Sequence, residues 1–239
     1  MSIEPVVAPP RGAARDFALG TYHMLPMLVG MVPFGLLLGA LAADKGYDPL
    51  DMALMSAMVF AGSSQFIAIG LWQEPLPVLA IILATALVNL RHVPMSAALA
   101  PSLGRFGHRL PFAALFLLAD EIWAVAMRAA QGGSLGPAYY AGLAIPFYFN
   151  WIFWTVLGTV GGSVIAEPER YGFDFAFTAV FIVLIRGFWR GRRNLPPVLA
   201  SIAGALLAHQ FLPGIWYILA GTAAGMLAAA VAWRPQHAR

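Results

Sequence analysis

Long apolar runs separated by short charged punctuation make up almost all of this chain. A helix crossing a bilayer needs about 20 apolar residues at ~1.5 Å rise each. Charge-free stretches, cut at proline and glycine, give eight segments. Segment A covers 17–43, between Asp16 and Asp44. B covers 52–72, C covers 75–90 and ends at Arg91-His92, and D covers 110–127 with Asp120-Glu121 inside it. After Gly132-Gly133 and Pro137 comes A′, reaching residue 166. B′ covers 173–185, and the uncharged stretch 194–233 is split by Pro213-Gly214 into C′ and D′.

The two halves of the pattern are alike. LPVLAIILATALVN (76–89) aligns without a gap on PPVLASIAGALLAH (196–209), which sets Asn89 opposite His209. A and A′ each carry a small-xxx-small pair, Gly35/Gly39 and Gly158/Gly162. Each is followed by an acidic loop and then by Asp51-x-Ala53 or Asp174-x-Ala176. Repeats of this size in membrane chains are typical of secondary transporters, with the site at the repeat interface. The expected units are a solvated N-terminal tail (1–16, with Glu4 and three prolines, unlike a cleavable signal), a first membrane repeat (17–128), a second (129–233) and a short C-terminal tail (234–239).

Charge placement refines the topology. With all eight segments crossing and the N-terminus inside, Arg91, Arg105 and Arg109 fall outside, against the cytoplasmic excess of Arg and Lys. With B and B′ re-entrant or only partly across, every arginine except Arg128 falls inside, and only Lys45 and Arg128 lie outside. B′ supports this second arrangement, because its charge-free core is too short to span. The expected fold is therefore an all-α polytopic membrane protein of six to eight membrane segments: two inverted three-span repeats, each with an additional re-entrant or partial helix.

Composition agrees. Of 239 residues, 60% are hydrophobic and 10% charged, where soluble domains carry about 25% charged residues. The net charge of +3 resides in boundary clusters and does not indicate nucleic-acid binding. With no cysteine there is no disulfide, thiolate nucleophile or Cys-ligated metal. Phosphate-binding, zinc-hydrolase, nucleophile-elbow and dinucleotide motifs are absent, so neither ATP-driven transport by this chain alone nor a cofactor or metal site is expected.

Polar residues at membrane depth are costly and mark function by default. The first cluster is Gly62-Ser63-Ser64-Gln65 in B. Its hydroxyls and amide suit the carboxylate and ammonium of a zwitterion, and they equally suit helix-packing hydrogen bonds of about 0.6 kcal/mol each. The second is Asn89-Leu90-Arg91-His92. Arg91 and His92 fit either a helix C-terminal anchor or a carboxylate clamp with a proton carrier, and His209-Gln210 occupies the equivalent place in C′. The third is Asp120-Glu121, where either carboxylate fits a proton-linked role and an ion pair with Arg91 or Arg128 is the structural alternative. Asn150 in A′ is a further candidate, and Pro26 and Pro33 predict a broken helix A. Trp72, Trp123, Trp189, Trp216 and Trp233 read as interfacial belt residues.

FAGSSQF (60–66), VNLRHVPMSAALAP (88–101) and ADEIWAVA (119–126), preceded by GMVPFGLLLGALAADKGYDPLDMALMS (30–56), resemble the AzlC family of branched-chain amino acid transport proteins. The resemblance covers about residues 17–235. It implies an exporter of branched-chain amino acids, not an enzyme, working with a small membrane partner of the AzlD type. It carries Ser63, Ser64 and Gln65, then Asn89, Arg91 and His92, then Asp120 and Glu121, onto the family's motifs. Ala119 stands where the family often has Thr, and Val93-Pro94-Met95 where it often has an aromatic, which leaves the substrate open. The expectation is thus a proton-coupled secondary exporter of valine, leucine and isoleucine in the bacterial cytoplasmic membrane, N-terminus inside. Its substrate site would draw on Ser63, Ser64, Gln65, Asn89, Arg91, His92, Asn150, His209 and Gln210, with Asp120 or Glu121 coupling protons. The alternatives are an assembly subunit whose partner carries the substrate path, or a membrane-embedded hydrolase pairing Ser63 or Ser64 with His92 or His209.

Overall fold

A computed structural model of the chain describes residues 12–162, 191–211 and 216–232, with positions 182, 186 and 189. Both chain ends, nearly all of B′ and the Pro213-Gly214 break lie outside the described residues. Among the described residues the protein is helical, without strands. The helices are α1 (Ala13–Gly30), α2 (Val32–Asp44), α3 (Pro49–Val59), α4 (Gly62–Gly70), α5 (Val78–Asn89), α6 (His92–Leu103), α7 (Leu110–Phe116), α8 (Asp120–Gln131), α9 (Pro137–Gly162), α10 (Leu195–Phe211) and α11 (Trp216–Ala232).

Among the described residues two helical paths are long and apolar enough to cross a membrane, Val78–Phe106 and Pro137–Gly162, or three if α1 and α2 count as one bent span. Segments A, B and D are each a pair of helices in series, and C runs past its expected end from α5 into α6. In A, the pair bends by 49° at Met31, between Pro26 inside α1 and Pro33 at the start of α2. Both prolines lack the N–H that would close the helix there. In B, α3 opens on a capping box between Asp48 and Asp51 and ends at Phe60 in the left-handed region, φ 36°. For a bulky residue that conformation costs about 1–3 kcal/mol, and Phe60 is held in it against the Phe147 and Tyr148 rings.

The C and D breaks correct two expectations. Arg91 and His92 do not close helix C. They sit at a tightened turn partway along the 29-residue path of α5 and α6, because Pro94 has no N–H for the Leu90 carbonyl and Val93 bonds it instead. Arg91 therefore leaves the set of loop arginines. Asp120 and Glu121 likewise do not lie in the middle of a helix. They form the first turn of α8, after an extended Ala119, where the helix dipole favours carboxylates.

The long helix α9 packs against α1, α2 and α3 and touches α7 and α8. Small residues permit this. A Cβ on Gly20 would strike the Tyr139 carbonyl, one on Gly39 the Thr155 carbonyl, and one on Gly158 the Leu36 carbonyl. The two glycine pairs noted in A and A′ thus meet each other at one crossing.

Backbone groups in a membrane must be satisfied internally, and α9 supplies donors to carbonyls left free at three breaks. Asn150 Nδ2 donates to Leu28 O at 3.1 Å, Tyr148 Oη to Ala57 O at 2.9 Å and Tyr140 Oη to Ala114 O at 2.7 Å. The core is apolar, built from residues such as Met24, Leu38, Met52, Leu99, Ile122 and Leu143. Outward faces are also apolar (Val29, Leu79, Phe112 and Val231 are exposed), as lipid contact requires. Helices α10 and α11 pack chiefly on each other, with Gly204 and Gly221 against Ala224 and Ala205.

Candidate functional site

The four breaks converge on one cavity. Met31 and Phe34 come from the A break, Phe60 to Ser63 from the B break, Arg91 and His92 from the C break, and Ala119 to Glu121 from the D break. Phe147 and Trp151 of α9 close it. Breaking a helix frees backbone groups and lets side chains from both halves turn inward, so irregular backbone at membrane depth belongs where it lines a cavity.

Arg91 organises the polar side. Its Nη2 donates to Ser63 Oγ at 2.6 Å, and its Nη1 pairs with Asp120 Oδ2 at 3.0 Å. Its Nε is buried without a hydrogen-bond partner among the described residues. The first intrahelical bond of α4 runs from Gln65 N–H to Ala61 O, and no side chain caps this helix. The N–H groups of Gly62, Ser63 and Ser64 are therefore without helical partners, beside the guanidinium. Two donor sources for one anionic group meet there.

The two carboxylates differ. Asp120 is engaged by Arg91. Glu121 lines the cavity, and among the described residues no ion pair engages it, with Asp120 and Arg91 as its charged neighbours. His92 ties two breaks together. Its Nδ1 lies 3.2 Å from Asn89 O and its Nε2 3.2 Å from Leu118 O. A neutral ring donates to one carbonyl at a time, and only the imidazolium donates to both.

Other expected residues take different places. Gln65 is fully buried behind the cavity, in a chain of hydrogen bonds. Its Oε1 accepts from Trp151 Nε1 at 2.8 Å, its Nε2 donates to Ser56 Oγ at 3.0 Å, and Ser56 Oγ meets Thr155 Oγ1 at 2.9 Å. Both ends of the amide are engaged away from the cavity, which Gln65 does not line, so it positions the indole. Replacing Gln65 with Leu should lower stability by about 1–3 kcal/mol, since the Trp151 donor and the Ser56 acceptor lose their partner inside an apolar core. Thermal unfolding of the purified protein followed by tryptophan fluorescence checks this, and an unchanged transition would refute it.

Asn150 also positions, through Leu28 O and by accepting from Trp154 Nε1 at 3.0 Å. Ser64 Oγ donates to Asn89 Oδ1 at 2.7 Å on the far side of α4 from Ser63. His209 and Gln210 are exposed on α10 and do not join the cavity; the His209 ring packs on Tyr217. The site is thus assembled from A to D and A′, without the described parts of C′ and D′.

Trp151 and the Phe34, Phe60 and Phe147 rings are cavity residues that the polar-residue search passed over. Gly62 gives the one retrospective signal. The small residues there admit a close neighbour, and it is the Trp151 indole, whose ring atoms would lie 3.0 Å from a Cβ at Gly62. Among the described residues no cluster of His, Asp and Glu could hold a metal ion. No hydrogen bond joins Ser63 or Ser64 to a histidine among the described residues.

Comparison with known proteins bears on this arrangement. The family model described as "AzlC protein" matches residues 26–165, which holds every cavity residue. An uncharacterized membrane protein of Archaeoglobus fulgidus is 31% identical over 90% of this chain and 91% of its own length. Inner membrane protein YgaZ of Escherichia coli is 26% identical, covering 95% of this chain and 94% of its own. Branched-chain amino acid transport protein AzlC of Bacillus subtilis is 22% identical over 80% of this chain and 77% of its own. No solved structure matches. These names point to a membrane transport protein rather than an enzyme, and the extent of the match establishes that the chain belongs to the AzlC family.

Proposed function

We propose that this chain is a secondary exporter of branched-chain amino acids, coupled to protons and assembled with a small AzlD-type membrane partner in the bacterial cytoplasmic membrane. The observation that carries the reading is the pairing, in one cavity, of a donor cluster, an unpaired carboxylate and an aromatic wall. A substrate carboxylate fits between Arg91 Nε and the free N–H groups at the start of α4. The ammonium fits Glu121, and a branched side chain fits the apolar wall of Phe34, Phe60, Phe147 and Trp151.

Glu121 supplies the coupling. A proton and a substrate ammonium compete for the same carboxylate, so release of one favours uptake of the other, and the exchange is an antiport. Asp120, held by Arg91, fixes the guanidinium instead. The name of the Bacillus subtilis relative supports the substrate class. The inverted-repeat architecture and a cytoplasmic N-terminus are part of the same proposal, supported by the glycine crossing of A on A′ and by the arginine distribution of the sequence.

The test is efflux of labelled valine from proteoliposomes holding the chain with its partner, against unlabelled competitors inside. Leucine and isoleucine should compete, whereas glutamate and lysine, which would place a charge against the aromatic wall, should not. Efflux from liposomes with the partner alone, equal to that of the pair, would favour the assembly-subunit reading instead.

A further inference from the structure

A second and larger opening lies on the other face of α4. Helices α3 and α5 stand apart and form its walls, α4 is its floor, and its mouth carries Lys45 and Asp51. It runs inward to Ser64 and Asn89, whose hydrogen bond of 2.7 Å closes its end. Ser63 and Ser64 are consecutive in the first turn of α4 and point about 100° apart. One faces the cavity, the other the cleft. Arg91 and Asn89 divide in the same way across the C break. The first turn of α4 and the Ser64–Asn89 pair therefore separate the two compartments.

The walls of the cleft are largely apolar, but its inner end is polar. Thr85 and Asn89 lie four residues apart, on one face of α5, and with Ser64 they make a polar line down the inner end. The Thr85 hydroxyl spends its proton on Ile81 O at 2.7 Å, which leaves acceptor lone pairs toward the opening. Such groups against hydrocarbon are costly. At the mouth a cation and an anion stand together. Between them Tyr47 packs on Trp72, ring centroids 4.9 Å apart, its phenol pushed up to about 12 by burial and by the Asp51 carboxylate, so that it stays a neutral donor.

We propose that the α3–α5 cleft is a hydrated vestibule that collects small zwitterions with apolar side chains and delivers them to the cavity, and that the Ser64–Asn89 hydrogen bond is the partition between the two. The mouth matches both charges of a zwitterion, the walls of Leu54, Met55 and Ile81 match an apolar side chain, and the Ser64–Asn89 pair stands at the inner end. The substrate class rests on the transport reading above. The water-filled route and its partition rest on geometry alone.

The chain has no cysteine, so single cysteines report accessibility directly. The full chain in native membrane vesicles is treated with a membrane-impermeant cationic methanethiosulfonate, applied to both faces. Thr85→Cys should react about tenfold or more faster than Leu79→Cys on the exposed outer side of α5, since thiolate forms in water and not in hydrocarbon. Ser63→Cys should react slowly, and adding Asn89→Ala should raise its rate about fivefold by removing one hydrogen bond from the closed state. Ser64→Ala in place of Asn89→Ala should act alike, which guards against a folding defect in either variant. Equal rates at Thr85→Cys and Leu79→Cys would show a cleft filled by lipid or by another protein and overturn the vestibule. A Ser63→Cys rate unmoved by both partition variants would overturn the partition. Labelling requires no turnover. The expected labelling with no protection of Ser63→Cys by valine would leave the hydrated route standing and remove the amino-acid reading.

Discussion

Replacing Arg91 with Ala is expected to reduce valine transport by about 100-fold or more, because one side chain holds three parts of the site together. Its two Nη atoms join Ser63 at the B break to Asp120 at the D break, and its Nε has no hydrogen-bond partner among the described residues. Without it the Asp120 carboxylate loses its counter-ion in a poorly hydrated site. Complete burial would make that loss worth roughly 3–5 kcal/mol. Asp120 is 18% exposed and Arg91 33%, so a destabilisation of about 2 kcal/mol is the expected size. Arg91→Lys should retain part of the stability and little of the transport, since a single ammonium does not reproduce the planar fork. Arg91→Ala combined with Asp120→Ala should recover stability without recovering transport. Thermal unfolding read beside valine flux separates these effects. Wild-type flux in Arg91→Ala would remove the guanidinium from the site.

Gly158→Leu and Gly39→Leu should each prevent the protein from reaching its folded state. At both positions a Cβ would collide with the backbone of the facing helix, at Leu36 and at Thr155 respectively, and backbone has no rotamer in which to escape. The α2–α9 crossing would have to open by several ångströms. It would take with it the Thr155–Ser56–Gln65–Trp151 chain that seats the cavity wall. The loss is about 3 kcal/mol or more, in the range of core overpacking. Gly161→Leu on the same helix meets nothing within 4 Å and serves as the control. Fluorescence-detected size exclusion should show a monodisperse peak for the control and aggregate for the other two. Three equal peaks would contradict the crossing.

The sequence made the apolar segments, the Pro26–Pro33 break and the three polar motifs legible, because proline and charge act locally. The convergence of those motifs was not visible, since it depends on breaks that carry no punctuation. Leu117-Leu118-Ala119 reads as continuous helix, yet Ala119 is extended, and this places Asp120 and Glu121 at a helix start facing Arg91. The same local reading took Arg91 for the end of a span, although only a tightened turn at Pro94 marks the position. Side chains that face a cavity and side chains that support it also look identical in sequence. Ser63 and Gln65 belong to one motif, but their directions differ on α4, and only the folded chain shows Gln65 spent on Trp151 and Ser56. The His209 match to Asn89 followed apolar periodicity, which repeats wherever helices face lipid, and the two residues lie in unlike surroundings. The aromatic wall escaped notice because aromatic residues at helical spacing are ordinary core.

At the centre of the proposed mechanism the Glu121 carboxylate, without an ion-pair partner among the described residues, exchanges a proton for substrate. Proteoliposomes loaded with labelled valine and given an imposed pH gradient measure this directly, comparing the wild type with Glu121→Gln. The account predicts that the wild type drives valine against its concentration gradient, while Glu121→Gln only equilibrates it and no longer responds to the pH gradient. A Glu121→Gln variant that still concentrates valine in response to the gradient would contradict it.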